Sequence, residues 1–106
     1  MDNQKVSQSF QVFMNEAAGH AGAWMEAVQK LDKASSLDKK TEEIAYISVL
    51  AAAGLESGIP FHVKSAKTAG ATRADITSAV LLGLPAVGNK VIQALPIALD
   101  AFDESL

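Results

Sequence analysis

The chain contains no cysteine among its 106 residues. This absence excludes disulfides, thiolate metal sites, iron–sulfur clusters and a cysteine nucleophile. Histidine is nearly as scarce, and two histidines cannot supply the three ligands of a His₃ zinc site. We therefore expect no metal and no other cofactor.

Charge and hydropathy exclude two further classes of partner. The net charge is −3 and the isoelectric point is near 5.2, which disfavours binding to a nucleic-acid backbone. No run of about 18 apolar residues is present, so we expect no membrane span. The polar start of the chain lacks the basic and apolar regions of a signal peptide, which predicts a cytoplasmic protein.

Alanine, the strongest helix former, is abundant and occupies 19 positions. Hydrophobic residues make up 49% of the sequence and charged residues 20%, a composition typical of globular domains. No segment shows the alternating pattern of a β-strand. We therefore predict one all-α domain over residues 1–106.

Apolar residues at helical spacing, together with capping residues, predict about six helices. The first covers residues 6–18, the second carries Trp24, Val28 and Leu31, the third ends at Ala53, the fourth has Ser57 at its cap and runs to Ala69, the fifth follows a Thr72–Asp75 capping box and carries Leu84, and the last carries Val91, Leu95, Ala98, Leu99 and Phe102. A loop at residues 19–22 separates the first two helices and exposes His20. Pro96 should kink the last helix, and the acidic tail over residues 100–104 is expected to be solvated and frayed.

The third predicted helix differs from the others because it is apolar nearly all round between Ile44 and Ala53. Asp38 or Ser36 can cap its start, and Gly54 can end it. Such a helix is buried on most sides, and a chain this small has too few other helices to surround it. We therefore predict a homo-oligomer.

Two residues are candidates for proton-transfer chemistry, namely His62 on the fourth helix and Glu43 near the start of the third. His62 lies among apolar residues, where one satisfied hydrogen bond would make it a structural histidine. Glu43 alone would be a first-turn acid that compensates the helix dipole. If the two helices bring them together, His62 can act as general acid or base and Glu43 can orient it.

Three further side chains accompany this pair in the sequence. Tyr46 lies one turn after Glu43 and can share its face, or can be a buried tyrosine with a satisfied hydroxyl. Lys64 and Lys67 can hold an anionic ligand beside His62, or can form the solvated face of their helix. Tyr46 and Lys64 are therefore candidates for binding a small-molecule substrate.

Three segments form an ordered pattern: LDKKTEEI at residues 37–44, HVKSA at residues 62–66 and AGATRADI at residues 69–76. Together they resemble the carboxymuconolactone decarboxylase and alkylhydroperoxidase D superfamily over about residues 37–100. The resemblance implies an all-α fold that assembles into trimers or hexamers. It also implies a functional pair, because Glu43 and His62 match the family's glutamate and histidine in type and separation.

The resemblance has one large departure. In the peroxidase branch a Cys-x-x-Cys pair attacks the peroxide, and Leu55 and Gly58 stand at the two cysteine positions here. Thiol peroxidase activity is chemically unsupported without a sulfur nucleophile. The decarboxylase branch also lacks the cysteines, and its members release carbon dioxide from a carboxylated lactone. Its usual Glu-Leu-Arg-x-His run is replaced here by GIPFH at residues 58–62.

These observations favour a carboxymuconolactone decarboxylase-like protein, acting without a cofactor as a lyase or isomerase on a small carboxylated substrate. Glu43 and His62 would be its proton-transfer residues. The alternative is a non-catalytic oligomeric binding or scaffold protein of the same fold, in which both residues are structural. Alkylhydroperoxidase activity is a third alternative, and the missing cysteines disfavour it.

Overall fold

A computed structural model describes residues 7–104 of the chain. These residues form seven α-helical segments and one 3₁₀ turn, with no strand among them. The helices are α1 (Gln8–Glu16), α2 (Ala18–Ala34), α3 (Lys39–Ala53), α4 (Ile59–Thr68), α5 (Arg73–Leu81), α6 (Leu84–Val87) and α7 (Asn89–Asp103), and the 3₁₀ turn is Glu56–Gly58. The all-α prediction is confirmed, and the single-turn helix α6 adds to the six longer helices.

The contacts divide the chain into two compact units, one ending at Leu37 and one beginning at Asp38. A single domain over residues 1–106 stays a prediction beside this division. In the described part of the chain, no helix has both the length and the apolar character needed to cross a bilayer.

The first unit contains the consecutive helices α1 and α2. The hydroxyl of Ser7 caps α1 by accepting the backbone N–H of Phe10 at 3.2 Å. The helices are separated at Ala17, where φ is −131° and ψ is 55°. The loop predicted at residues 19–22 is wrong, because these residues lie inside α2. His20 is exposed, as predicted, but on a helix.

The apolar stripe of α2 remains uncovered. Trp24, Val28 and Leu31 are all exposed, with Leu31 at 67% of its full accessibility. Only Ala21 is buried among the residues of this helix. The glycines in α2 cost about 1 kcal/mol each relative to alanine, and the alanines around them favour continuation of the helix. Residue 6, the predicted start of the first helix, lies outside the described residues.

The second unit packs α3, α4, α5 and α7 around one hydrophobic core. Its buried residues are Ile47, Leu50, Ala51, Ile59, Val63, Ala66, Ala71, Ile76, Ala79, Val80, Val91, Ala94, Ala98 and Ala101. Half of them are alanine, and small side chains at helix contacts shorten the distance between helix axes. Each fully buried isoleucine contributes about 1.5–3 kcal/mol relative to an exposed one. Partly buried Leu95, Leu99 and Phe102 complete the predicted stripe of α7.

Two predicted caps are confirmed in this unit. The Asp38 carboxylate accepts the N–H of Thr41 at 2.8 Å and so fixes the start of α3. At α5, the N–H of Asp75 donates to the Thr72 hydroxyl at 3.0 Å, and the N–H of Thr72 donates to the Asp75 carboxylate at 2.9 Å. These reciprocal bonds are the predicted capping box.

The start of α4 differs from the prediction. Ser57 lies in the 3₁₀ turn, and Gly58 directly precedes the helix without a side-chain cap. Pro60 occupies the first turn, where its missing N–H has no helical partner to lose. The 3₁₀ turn Glu56–Gly58 therefore leads directly into α4, in place of the predicted Ser57 cap.

Helix α3 is buried on one face only, which agrees with the expectation that a chain this small has too few other helices to surround it. Ile47, Leu50 and Ala51 are buried, but Tyr46 is 45% exposed and Val49 is 57% exposed. Within the second unit, the other helices pack against one side of α3. The homo-oligomer that this face led us to predict stays a prediction.

Helix α7 continues through Pro96 without a break. Pro96 and Ile92, whose carbonyl loses its helical partner, are both exposed, so water can replace the missing hydrogen bond. The acidic tail is solvated, as predicted, since Asp100, Asp103 and Glu104 are exposed. It is not frayed up to Asp103, because α7 continues to that residue and Arg73 binds both of its carboxylate oxygens at 2.9 and 3.0 Å. Leu84, predicted to face inward, starts α6 and is 39% exposed.

Candidate active site

Glu43 and His62 meet where α4 packs against α3. The short connection over residues 54–58 turns the chain back so that the second turn of α3 faces α4. Glu43 lies in that second turn and is 6% exposed. Its interpretation as a first-turn acid is therefore wrong, and Glu42 occupies the first turn instead.

The two predicted site residues are in direct contact. Nδ1 of His62 lies 2.8 Å from Oε1 of Glu43. A carboxylate oxygen only accepts hydrogen bonds, so the neutral imidazole carries its proton on Nδ1 and donates it to Glu43. Nε2 is then the basic nitrogen, on a side chain that is 26% exposed. The arrangement gives a reactive nitrogen on one side of the ring and an orienting carboxylate on the other.

Two further residues, which we did not predict, also contact this carboxylate. The Ser65 hydroxyl donates to Oε2 of Glu43 at 3.0 Å, and the Lys39 ammonium lies 3.0 Å from the same oxygen. Helical spacing contains a signal for both, because Ser65 is three residues after His62 and Lys39 is four residues before Glu43. Such spacings recur on most helices, so they identify these residues only once Glu43 is known to be buried.

The electrostatics of the site keep the carboxylate ionised. Burial raises the pKa of Glu43, and the hydrogen bonds from His62, Lys39 and Ser65 together lower it by more. The net effect is a pKa below the ordinary glutamate value. An ionised, nearly buried carboxylate stabilises a positive charge on the adjacent imidazole, which is the charge that a histidine base acquires in proton transfer.

Two aromatic rings border the imidazole. The Tyr46 ring lies 4.6 Å from the His62 ring, centroid to centroid, at an angle of 64°, and the Phe61 ring lies 5.2 Å away at 87°. Tyr46 therefore shares the face of Glu43, as predicted. It is exposed, so the alternative of a buried tyrosine is wrong.

Lys64 and Lys67 are directed to a different part of the unit. Lys64 lies about 200° around α4 from His62, and its ammonium donates to the Glu104 carbonyl at 3.0 Å. Lys67 donates to the Phe102 carbonyl at 2.6 Å, and its ammonium lies 4.5 Å from the Phe102 ring centroid. Both lysines thus bind the end of α7 rather than form a solvated face, and no hydrogen bond between described residues joins either of them to Glu43 or His62.

Among the described residues, no group of three acidic or histidine side chains is arranged to hold a metal ion. The side chains around His62 instead suit proton transfer. One nitrogen is anchored, one nitrogen is basic, and every buried side-chain nitrogen or oxygen described has a hydrogen-bond partner.

Fold and site define an all-α protein with a nearly buried glutamate bonded to a histidine. The sequence model of the carboxymuconolactone decarboxylase family matches residues 18–100. The chain belongs to this family, and the match extends the resemblance toward the N-terminus into α2. Comparisons with curated proteins and with solved structures give no match. The chain is a family member without the cysteine pair of the peroxidase branch.

Proposed function

We propose that this protein is a proton-transfer enzyme of the lyase or isomerase type, acting on a small carboxylated substrate without thiol chemistry. The observation that carries the proposal is the 2.8 Å contact between His62 Nδ1 and the Glu43 carboxylate. That contact leaves Nε2 of a partly exposed imidazole free to exchange a proton with a bound substrate.

In the proposed reaction His62 reaches the substrate and Glu43 does not. Loss of carbon dioxide breaks the bond between the carboxyl carbon and its neighbour, and the electron pair stays on that neighbour. The imidazolium form of His62 then delivers a proton to this carbon from Nε2. In an isomerisation the neutral form removes a proton and returns it elsewhere. Glu43 stabilises the charged imidazole in both cases.

We also propose that the protein acts as a homo-oligomer, either a trimer or a hexamer. The support is the uncovered apolar surface beside the site. Tyr46, Val49 and Phe61 are each about half exposed, and an exposed patch of this kind marks an interaction surface. A second copy on this surface would limit the access of water to His62.

Proton transfer can be tested with two probes, carboxymuconolactone and the saturated carboxylated lactone paraconic acid. Carbon dioxide release is measured for the first, and exchange of carbon-bound hydrogen in D₂O is followed by NMR for the second. We expect wild-type protein to accelerate at least one reaction. We expect His62→Gln to lose about 100-fold or more of that rate, the size typical of a removed general acid–base group.

His20→Gln is the matched control, because it removes the other histidine from an exposed position on α2. It should retain wild-type rates. Wild-type protein that leaves both probes unchanged, or His62→Gln that matches wild type, would contradict the proposal.

A scaffold function is the second candidate, and one observation favours it. Glu43 receives two hydrogen bonds from α4, so the pair also fastens α3 to α4. In a scaffold, His62→Ala lowers stability and oligomeric mass, and no variant changes turnover because there is none. Sedimentation of His62→Ala beside the rate measurements therefore separates the two functions.

A further inference from the structure

We infer that Ser65 is a positioning residue for the His62 base. It holds the plane of the Glu43 carboxylate so that Oε1 faces Nδ1 of His62. This inference rests on the proposed proton-transfer function, which gives the orientation of His62 its purpose. Ser65 does not reach the reacting atoms and acts through Glu43.

The two donors from α4 bind different oxygens of the same carboxylate. His62 binds Oε1 at 2.8 Å, and Ser65 binds Oε2 at 3.0 Å. One hydrogen bond would leave the terminal torsion of the glutamate free, and this torsion is intrinsically broad. Two bonds from one rigid helix fix both the position and the plane of the carboxylate. Because His62 and Ser65 are three residues apart, they project from the same face of α4.

Lys39 cannot provide the same constraint. Its ammonium also contacts Oε2, at 3.0 Å, but its side chain is 60% exposed. It lies on α3, the same helix as Glu43, so it does not define the carboxylate relative to α4. A long exposed lysine loses side-chain entropy when it is held in one geometry, so this ion pair supplies charge to the carboxylate more than it fixes its plane. The short, partly buried serine is the more rigid donor.

The orientation of Glu43 decides which nitrogen of His62 is basic. With Oε1 facing Nδ1, the neutral ring keeps its proton on Nδ1 and presents an unprotonated Nε2. If the carboxylate rotates away, the ring can place its proton on Nε2 and lose its base at the substrate side. Loss of Ser65 should therefore change the tautomer of His62 without removing any catalytic group.

The test is the tautomer itself, measured by ¹⁵N NMR of the histidine rings at about pH 9, where imidazoles are neutral. We expect His62 of the wild type to be mainly the Nδ1–H form. In Ser65→Ala the ratio of the Nδ1–H form to the Nε2–H form should fall by about three- to tenfold, because the carboxylate plane is then free to turn away from Nδ1. Ser65→Thr restores the hydroxyl and should restore the ratio.

Ser48→Ala is the matched control for a general loss of packing. Ser48 is another partly buried serine, and its hydroxyl donates to the Ala79 carbonyl at 2.7 Å without touching Glu43. It should leave the tautomer of His62 unchanged even if it lowers the melting temperature. His20, exposed on α2, provides the reference spectrum of a histidine outside the site.

A Ser65→Ala protein with the wild-type tautomer ratio overturns the inference, as does a Ser48→Ala protein with the same change. The rates with carboxymuconolactone and paraconic acid test the proposed function separately. If the wild type leaves both probes unchanged but Ser65→Ala shifts the tautomer, proton transfer fails and the positioning of His62 stands. If the wild type exchanges, Ser65→Ala should lower kcat by about three- to tenfold with KM nearly unchanged.

Discussion

Helix α4 takes part in two polar clusters that differ in burial. The buried cluster consists of Lys39, Glu43, His62 and Ser65, and its carboxylate residue is 6% exposed. The α7 clamp consists of Lys64, Lys67 and Arg73 with their acceptors Phe102, Asp103 and Glu104 at the end of α7. The Asp103 side chain in this clamp is 51% exposed.

The difference in burial gives the carboxylates of Asp103 and Glu43 different properties. Water solvates Asp103 whether or not Arg73 binds it, so the ion pair changes little in free energy. Glu43 has lost most of its water and depends on its three protein donors. A nearly buried carboxylate interacts strongly with the positive charge of a neighbouring imidazole, whereas water and salt screen the charge of an exposed carboxylate. The chemistry is therefore expected in the buried cluster, and the clamp is expected to hold a helix end.

The largest expected effect comes from deleting each carboxylate in turn. Glu43→Ala leaves the N–H of His62 and the hydroxyl of Ser65 without their acceptor. We expect the free energy of unfolding to fall by about 2–3 kcal/mol, as for a lost charged hydrogen bond with partly buried partners. Asp103→Ala should produce only a small fraction of this change. Urea unfolding of the two variants and the wild type measures the difference.

Equal losses of unfolding free energy in the two variants would contradict this comparison, because burial would then not determine how much each carboxylate contributes to stability. The slope of unfolding free energy against urea should be the same in all three proteins. A changed slope would indicate an altered unfolded or native state rather than the loss of the contacts.

A smaller effect is expected from the charge of Glu43 alone. The lowered pKa of Glu43 means that the unfolded chain binds more protons than the folded chain near the ordinary glutamate pKa. This stability is fully present above the unfolded pKa and is lost as the pH falls through the lower folded pKa. Glu43→Gln should therefore be less stable than wild type by about 1 kcal/mol near pH 7, with the difference vanishing as the pH falls through the lowered pKa of Glu43.

The comparison with Glu43→Gln is needed because other carboxyls also respond to acid. The pKa values of Asp38, Asp75 and Asp103 are lowered by hydrogen bonds from Thr41, Thr72 and Arg73, respectively. Their contributions are present in both proteins and cancel in the difference. A difference that stays constant from pH 7 to acid would mean that Glu43 is not held ionised by its neighbours.

Much of the fold could be predicted from local signals. The capping box at Thr72 and the cap at Asp38 depend on bonds within four residues, so the sequence contains all of their geometry. The sequence predicts the break between α1 and α2 at the glycines, whereas the structure has it at Ala17. Glycine lowers helix stability without forbidding a helix, so the neighbouring residues decide such a position.

The site shows the opposite limit. Glu43 and His62 could be predicted from their residue types and from the family resemblance, but their contact depends on the hairpin of α3 and α4. Ser65 was missed because a serine on a helix has no chemical signature until its acceptor is known. Lys64 lies close to His62 in the sequence, yet residues two apart on a helix point to opposite sides, and Lys64 binds the Glu104 carbonyl instead.

The smallest expected effect concerns the ion pair of the α7 clamp. Arg73 and Asp103 meet through two hydrogen bonds, and both side chains are about half exposed. Arg73→Gln should lower stability slightly at low ionic strength and not at all near 1 M salt, where the Debye length is about 3 Å. Urea unfolding at both ionic strengths measures this loss, with Asp103→Asn as the control that removes the other charge. If the loss persists in high salt, the pair acts through packing rather than charge, and the clamp resembles the buried cluster more than its exposure indicates. If the loss disappears in high salt, the two polar clusters of α4 differ as their burial indicates. The buried cluster around Glu43 then depends on its protein hydrogen bonds, whereas water can replace the ion pair of the α7 clamp.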